Sequence, residues 1–297
     1  MLLRQNLSVP RIIQITWRID LMMIVLCTAA YFTDRDLLPK HQIPAALPAL
    51  LGTALAFFIA FNSNQGYNRW WEARIIWGAL VNDSRSWARN LLHFSEPGSR
   101  PLALQMVKRH LAFLYALKAG LRKDDSTAYT AFLLVGEEEE VVRHTNVPNA
   151  ILDIQARDLQ RLSKGQQVDG FRFLALNNLL KDFCDSMGKS ERINNTVFPT
   201  TYIYFTKLFI WILIVLITMA IGESAGPLAI FLGWMVGFVF HTTHINGMSL
   251  MNPFEEKPAG IPLNSITRTI EINLLQMMGE TDIPAPEKPV NHDEYIL

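Results

Sequence analysis

The sequence predicts an all-α membrane protein with four transmembrane helices per subunit and a large helical cytosolic region. Half of the 297 residues are hydrophobic, which is a high share for a soluble protein. Two long apolar runs follow each other in the last third of the chain, and no segment alternates apolar and polar residues as strands do. Roughly 20 apolar helical residues cross a hydrocarbon layer of about 30 Å. The runs therefore favour membrane-spanning helices over the buried helices of a soluble protein.

Composition and motifs exclude several classes of protein. The formal net charge is zero, so the chain offers no basic field for nucleic acid. The sequence contains no phosphate-binding P-loop, no dinucleotide fingerprint and no HExxH zinc motif. Only two cysteines, Cys27 and Cys184, are present, and they do not predict a disulfide framework. We expect no nucleic-acid partner, no cofactor and no enzymatic activity.

Four apolar runs are the candidate spans, and they cover residues 19–32, 44–61, 199–222 and 226–240. The fourth reaches spanning length if it continues through residue 242. The basic residues at the ends of the first two runs are Arg4, Arg11, Arg18, Arg35, Lys40, Arg69 and Arg74. Those in the loop between the two runs are partly balanced by aspartates, and the turn between the third and fourth runs carries none. Because basic segments stay in the cytoplasm, both termini are predicted to be cytoplasmic.

These spans divide the chain into four segments. Residues 1–61 hold the N-terminal segment and the first two membrane helices, and residues 62–198 form a helical cytosolic region. Residues 199–244 hold the last two membrane helices, and residues 245–297 form a C-terminal loop, helix and tail. Apolar side chains recur at helical spacing over residues 104–121 and again over 173–187, which predicts two amphipathic helices in the cytosolic region.

The C-terminal segment predicts one more helix. Asn264 precedes an apolar face formed by residues 266–277 and is the expected N-cap, and Gly279 is the expected end. The proline-rich tail that follows is expected to be mobile unless a neighbouring subunit holds it.

The second apolar run, 44–61, turns polar within one helix. In "LLGTALAFFIAFNSNQGYNRWWEAR", residues 50–74, Thr53, Phe57 and Phe61 are spaced i, i+4 and i+8 and so share one face. Small residues at the same spacing form the adjacent face, which permits close helix packing in a membrane; they are Gly52, Ala56 and Ala60.

Around a symmetry axis, such helices would form a narrow apolar neck. An apolar neck gates ions by dewetting, because an entering ion loses water and gains no polar partner. The polar residues that follow would line a wetter vestibule; they are Asn62, Ser63, Asn64 and Gln65. The alternative is that the phenylalanines face lipid or a protein core.

Other polar groups allow competing interpretations. His241 and His244, at i and i+3, could share a face and bind a transition metal, although polar packing between subunits also explains them. Glu72 could relay protons, or it could be a salt-bridged part of the scaffold. The acidic run 137–140 is typical of a solvated loop or helix start, and a cation site is the alternative. Asp20 is costly in lipid and should face a protein partner.

The sequence resembles the bestrophin family, and in particular its bacterial members. Three stretches carry the resemblance, namely "FFIAFNSNQGYNRWWEARIIWG", "SERINNTVFPTTYIYFTK" and "MNPFEEKPAGIPLNSITRTIEINLLQM". They occur in the order expected for the family, and the likeness extends over roughly residues 10–280.

The resemblance implies a homopentamer in a bacterial inner membrane, surrounded by lipid, with one central pore for monovalent ions. It places Thr53, Phe57 and Phe61 in the pore neck, although an aliphatic residue is usual at the position of Thr53. A second, cytosolic constriction would fall near Phe171. Animal relatives conduct chloride, so anions are expected and sodium or other cations are the alternative. A more remote alternative is a membrane metal-binding protein or enzyme that uses His241 and His244.

Animal bestrophins bind calcium just after the "NPF" element, where this chain reads "EEKPAGIPL". Asn252 is present, but the acidic cluster shrinks to Glu255 and Glu256, followed by Lys257. Calcium takes six to eight oxygen ligands. We therefore expect no calcium activation of that type and no bound metal.

Overall fold

The structure is a computed structural model that describes residues 9–37, 43–290 and 295–297, with the side chains of 9–12 excepted. Arg4 and Lys40, which contributed to the predicted orientation, lie outside the described residues, as does the side chain of Arg11.

The described residues form nine α-helices, and the all-α prediction is confirmed. The helices are α1 Val9–Phe32, α2 Ala46–Phe94, α3 Arg100–Arg122, α4 Glu137–Val142, α5 Val147–Lys164, α6 Gly170–Asn195, α7 Thr200–Ala225, α8 Leu228–Ser249 and α9 Leu263–Met278. A π-helical turn, Thr33–Leu37, extends α1, and short 3-10 turns lie at Pro97–Ser99 and Ala128–Phe132. Among these residues the only β pairing is one isolated bridge, Val290 to Tyr295.

Four of the helices are long and apolar enough to cross a membrane, as predicted. They are α1 with its extension, from Ile13 to Leu37, and α2, α7 and α8. The first span is longer than the predicted 19–32, because Arg18 and Asp20 interrupt the apolar run without breaking the helix. The fourth span continues through His244 to Ser249, because the polar residues from His241 onward do not break that helix either.

Helix α2 continues without a break through the polar change at Asn62. It contains 49 residues and, at 1.5 Å per residue, is about 74 Å long. That is more than twice the hydrocarbon thickness of a bilayer, so a large part of α2 lies outside the membrane. The segment holds no proline after Pro48, and the polar residues 62–74 do not interrupt its backbone hydrogen bonding.

The chain divides into two compact units, and α2 contributes to both. The membrane unit comprises the described residues up to 69 together with 197–251. The helical unit comprises 70–196 and 252–297, of which 291–294 are not described. Within the membrane unit, Arg69 Nε donates to the carbonyl of Met251, 2.9 Å away.

Glycines bring the helices of the membrane unit into close contact. A Cβ at Gly237 would lie 2.7 Å from Ile214 Cγ2 on α7 and 3.0 Å from Met23 Sδ on α1. A Cβ at Gly66 of α2 would lie 2.6 Å from the carbonyl oxygen of Gly247 on α8. Such contacts are possible only without a side chain, and they are the usual means of tight helix packing in membranes.

The small-residue face predicted on α2 does not make these close contacts within the subunit. Gly52 meets Leu213 at an ordinary 3.7 Å, and Ala56 and Ala60 are exposed. Gly66, six residues beyond Ala60, makes the closest contact of α2 with another helix of the subunit. The tight contact of α2 is therefore made by a glycine that the spacing of small residues did not identify.

Aromatic rings and one arginine form the centre of the helical unit. Trp87 and His110 both pack against Phe183, with ring centroids 5.8 and 4.2 Å apart. Burial lowers the pKa of His110 to about 3, so this imidazole is neutral at any physiological pH. Arg109 is buried and donates to Asp158 Oδ2 at 2.7 Å and to Glu137 Oε1 at 2.5 Å, which joins α3, α4 and α5.

The C-terminal helix differs from its prediction at its start. Helix α9 begins at Leu263, so Asn264 lies inside the helix and does not cap it. Its Oδ1 instead accepts from Lys118 at 3.1 Å and from Arg122 at 2.8 Å. The predicted end at Gly279 is confirmed, with a left-handed φ of 83° that suits glycine.

The tail packs on its own subunit at two described points. Ser265 N donates to the carbonyl of Leu297 at 2.9 Å, and Glu287 lies 3.5 Å from Arg268. The tail therefore contacts α9 of its own subunit at these points.

We expect Gly66→Ala to destabilise the protein by about 1–3 kcal/mol, because the new methyl must displace the backbone of α8. The measurement is unfolding of the purified protein in detergent. Gly78→Ala in the same helix is the matched control: no atom lies within 4 Å of its added Cβ, so it should be neutral or stabilising. Equal stability of the two variants would contradict the contact.

Candidate ion pathway

One face of α2 is exposed along the predicted neck, from Thr53 to Phe61. Phe57 is 73% exposed and Phe61 is 50% exposed, and Thr53 is exposed as well. The same face continues in both directions at helical spacing; its other members are Leu50, Asn64, Asn68, Trp71 and Ile75. This set, from Leu50 to Ile75, is called the open stripe below.

The opposite face of α2 is buried, and this fixes the direction of the open stripe. Leu55 and Ile59 pack with Leu213 and Ile214 of α7 in the core of the membrane unit. Gly66 continues this face against α8. Because successive residues turn by about 100°, burial of these positions places Phe57 on the far side.

The three phenylalanines of the neck segment have different surroundings. Phe58 and Phe61 both approach Tyr202, with ring centroids 6.2 Å apart in each pair. Tyr202 lies in the first turn of α7, so it supports Phe61 from within the subunit. Phe57 projects furthest from the subunit and is the most exposed of the three.

Two of the four predicted vestibule residues face the subunit interior. Asn62 is 1% exposed, and its Nδ2 donates to Thr206 Oγ1 at 3.3 Å. Ser63 packs against Gly247. Their angular positions on α2 are close to those of Leu55 and Gly66, so they cannot share a face with Phe57.

Asn64 is exposed, and Gln65 is partly exposed. Asn68, which is not among the predicted vestibule residues, is also exposed and lies on the open stripe. Its spacing of i+11 from Phe57 could have identified it, since eleven residues make three helical turns. Residues 62–65 together span about 300° around the helix axis, so they do not share one face.

The aromatic and Arg-rich segment that follows is anchored by polar contacts. Glu72 forms an ion pair with Arg192 of α6 in the helical unit. This supports the scaffold interpretation of Glu72, although its partner is neither of the flanking arginines. Arg69 is half-buried, and its Nε donates to the carbonyl of Met251.

Phe171 lies in the first turn of α6 and is 88% exposed. The turn is fixed by Asp169, whose side chain accepts from the backbone N–H of Arg172 at 2.9 Å. A large apolar side chain is therefore held in solvent by a well-formed helix start, as a constriction would require.

The carboxylates of the loop after α8 are engaged with cations and amides of the same chain. Glu255 accepts from Asn252 Nδ2 at 2.8 Å and pairs with Lys257. Burial acts to raise the pKa of Glu255, but the bonds from Lys257 and Asn252 outweigh it and the pKa is lowered. Glu256 lies 3.1 Å from Arg122.

The two histidines of α8 share the buried face of that helix with its glycines. Within the described ranges, no three His, Cys, Asp or Glu side chains are arranged to hold a metal ion. The acidic run 137–140 begins helix α4, which agrees with the interpretation as a helix start. Its carboxylates Glu137 and Glu140 pair with Arg109 and Arg157. Cys27 and Cys184 are free thiols.

Comparison with known proteins gives consistent matches. The family model described as "Bacterial/Fungal Bestrophin protein" matches residues 6–276. The voltage-dependent anion channel-forming protein YneE of Escherichia coli is 30% identical over 245 residues, which cover 82% of this chain and 80% of that protein. A voltage-dependent anion channel-forming protein of Mesorhizobium japonicum is 25% identical over 289 residues, which cover 97% and 91%. The crystal structure of a bacterial bestrophin homologue from Klebsiella pneumoniae matches with a TM-score of 0.82 and 25% identity, covering 88% of this chain and 97% of that one.

Micromolar calcium should leave the open probability of the reconstituted protein unchanged, because both loop carboxylates already have partners and too few oxygens remain for the ion. The measurement is current recorded in planar bilayers before and after calcium addition. Glu255→Gln serves as the comparison and should behave identically. Calcium activation that this substitution abolishes would contradict the assignment.

Proposed function

The chain belongs to the bacterial bestrophin family, and we propose that it forms an anion-conducting, voltage-dependent channel in which the open stripe of α2 lines the pore. One observation carries the proposal: one face of the continuous helix α2 stays exposed from Leu50 to Ile75, and on it Asn64 and Asn68 directly follow the apolar residues that end at Phe61. The relatives whose names describe anion channels cover about four fifths of the chain or more. The family forms channels and is not a family of enzymes.

The proposed assembly is a ring of five identical subunits. One helix cannot enclose a path for ions, so the open stripe needs copies of itself around an axis. The opposite face of α2 is occupied by α7 and α8 of the same subunit, which leaves the open stripe available to face the axis.

The proposed neck consists of Thr53, Phe57 and Phe61. Rings of phenylalanine around a narrow path exclude water, and an ion can pass only when the path is transiently hydrated. Thr53 donates its hydroxyl hydrogen to the carbonyl of Ala49 at 2.9 Å, so it presents mainly its methyl group. Its departure from an aliphatic residue therefore alters the apolar character of the neck only slightly.

The proposed vestibule begins at Asn64 and Asn68. Both are exposed on the open stripe one and two turns beyond Phe61, and their amide N–H₂ groups are donors that can bind an anion. Gln65 lies at the edge of this face, whereas Asn62 and Ser63 are excluded from it by their intrasubunit contacts. Phe171 is the proposed second constriction.

The proposed location is the bacterial inner membrane, with both termini in the cytoplasm. The described basic residues next to the spans support this orientation, and the α7–α8 turn at 226–227 contains none. Lipid would cover the remaining exposed apolar side chains of the membrane unit.

Phe57→Ala should raise single-channel conductance or open probability severalfold, because a methyl group cannot maintain the apolar seal. The measurement is single-channel recording after reconstitution. Phe58→Ala is the control, since Phe58 lies on a different face of α2 and packs against Tyr202; it should change the current much less.

Unchanged currents in Phe57→Ala would remove Phe57 from the pore lining and favour contact of this ring with lipid. Native mass spectrometry tests the assembly directly. Particles of one subunit would contradict the proposal, and a closed ring with another number of subunits would correct it.

Reversal potentials under asymmetric NaCl should follow the chloride gradient. The reason is that the lining offers amide donors and no carboxylate on the open stripe within the described residues. A reversal potential at the sodium equilibrium value would make the protein a cation channel of the same fold.

A further inference from the structure

The exposed face of α2 does not end with the open stripe at Ile75. It continues at helical spacing to the end of the helix, and this continuation is called the lower stripe; its members are Ala79, Asn82, Ser86, Arg89 and His93. All of them are exposed except the half-buried Ser86. The 18 residues from Ile75 to His93 make five complete turns of 3.6 residues, so these two side chains project in the same direction.

The opposite side of this part of α2 is covered by α3. Ser84, which is turned by about 200° from Asn82 on the helix, has its Oγ 2.8 Å from His110 Nε2 on α3. Lys108 precedes His110 by two residues and is turned by the same angle on α3, away from α2. The lower stripe and Lys108 therefore lie on opposite sides of this helix pair.

The lower stripe introduces charge on a face that has none before it. The members of the open stripe are uncharged, whereas Arg89 and His93 are exposed basic side chains. A guanidinium group stays protonated in proteins, and within the described ranges no ion pair joins Arg89 to a carboxylate. The nearest carboxylate along α2, that of Asp83, is turned by about 120° from Arg89. The positive charge of Arg89 is therefore presented to the solution.

The end of the lower stripe lies beside the start of α6. Arg172, the residue after Phe171, donates from Nη1 to the carbonyl of Phe94 at 3.1 Å. Phe94 in turn directly follows His93. Arg172 is also paired with Asp169 at 3.2 Å, so its own charge is balanced. The lower stripe thus reaches the same end of the helical unit as the proposed second constriction at Phe171.

Copies of Arg89 around the axis of the proposed assembly would concentrate positive charge there. Rings of arginine or lysine are a usual device of anion pores, since charge that lines a cleft raises the local concentration of the counter-ion. Arg89 lies 14 residues beyond Ile75, or about 21 Å along the helix, and the Debye length in physiological salt is about 8 Å. Such a ring acts on ions at its own end of the pathway and leaves the neck unaffected.

We propose that Arg89, with His93 one turn further on, forms a cationic ring that gathers anions at the cytosolic end of the pathway. The neck decides whether the path conducts, and the ring sets how fast anions enter it. The effect on current rests on the proposed channel function, whereas the position of Arg89 in the assembly can be measured without current.

The first measurement is single-channel conductance of Arg89→Gln in planar bilayers. In about 0.1 M NaCl, where the Debye length is about 10 Å, we expect a fall of at least about twofold, well below the tenfold or more that focused charge can add to association rates. The fall should be larger for the polarity in which anions enter at Arg89. In about 1 M NaCl the Debye length is about 3 Å, and the difference from the wild type should disappear.

Two further variants control this measurement. Arg89→Lys keeps the charge and should retain most of the wild-type conductance. Lys108→Gln removes one positive charge from the far side of α3 and should conduct as the wild type does in both salts. Equal conductance of Arg89→Gln and the wild type in about 0.1 M NaCl would overturn the ring. A loss of the same size in both salts would show a structural defect and would overturn it as well.

The second measurement is the distance between spin labels in the assembled protein, determined by pulsed electron paramagnetic resonance. The exposed free thiol of Cys184 is first removed by Cys184→Ser, whereas the buried Cys27 is retained. Labels are then attached to Arg89→Cys or to Lys108→Cys in this background. Copies of a residue that faces the axis lie closest together, so the separations at position 89 should be clearly shorter than those at position 108.

The outcomes separate the two proposals. Separations at position 89 that equal or exceed those at position 108 would overturn the ring, whatever the currents show. Short separations at position 89 in a protein without current in either salt would refute the channel function and leave the inward position of Arg89 standing.

Discussion

The contact between Gly66 of α2 and Gly247 of α8 fixes the rotation of α2 about its own axis, and the rest of the membrane unit depends on that rotation. A Cβ at Gly66 would lie 2.6 Å from the carbonyl oxygen of Gly247, and a Cβ at Gly247 would lie 2.9 Å from the Cα of Ser63 on α2. Each residue turns the helix by about 100°, so a shift of one position would carry Phe57 toward the interior and Leu55 outward. The two glycines therefore decide which side chains the subunit leaves uncovered.

Polar side chains in the membrane unit follow from the same packing. Unpaired polar groups are costly where lipid surrounds the helices, and most hydroxyl groups here bond the carbonyl one turn earlier, as Thr218 bonds Ile214 at 2.7 Å. Asn62 and the pair His241 and His244 are different because they are buried without full satisfaction. Asn62 lies on α2 itself, and the two histidines lie on α8, which contacts α2 at Gly247.

Although the formal net charge of the chain is zero, charged side chains of the helical unit form buried ion pairs with one another. Arg109, at the centre of α3, takes one carboxylate from α4 and one from α5, and removing one partner of such a buried pair commonly costs 3–5 kcal/mol. The acidic run at α4 is thereby used to hold helices together. The charges of Glu137 and Asp158 are thus balanced by Arg109 inside the helical unit.

The sequence by itself determined the elements that depend on local pattern. Apolar length identified the four spans, periodicity identified the amphipathic helices, and the i, i+4, i+8 spacing placed Thr53, Phe57 and Phe61 on one face. The motifs identified the family. These features are local because a helix closes its own hydrogen bonds and its periodicity is the same everywhere.

Only the tertiary structure decided which face of each helix is covered. It buried Asn62 and Ser63, added Asn68 to the open stripe, moved the closest helix contact from Gly52 to Gly66, and brought Asn264 to Arg122 in place of a helix cap. It also joined Glu72 to Arg192, 120 residues later in the chain. Contacts between distant segments depend on how whole helices pack, and spacing within one helix carries no information about its neighbours.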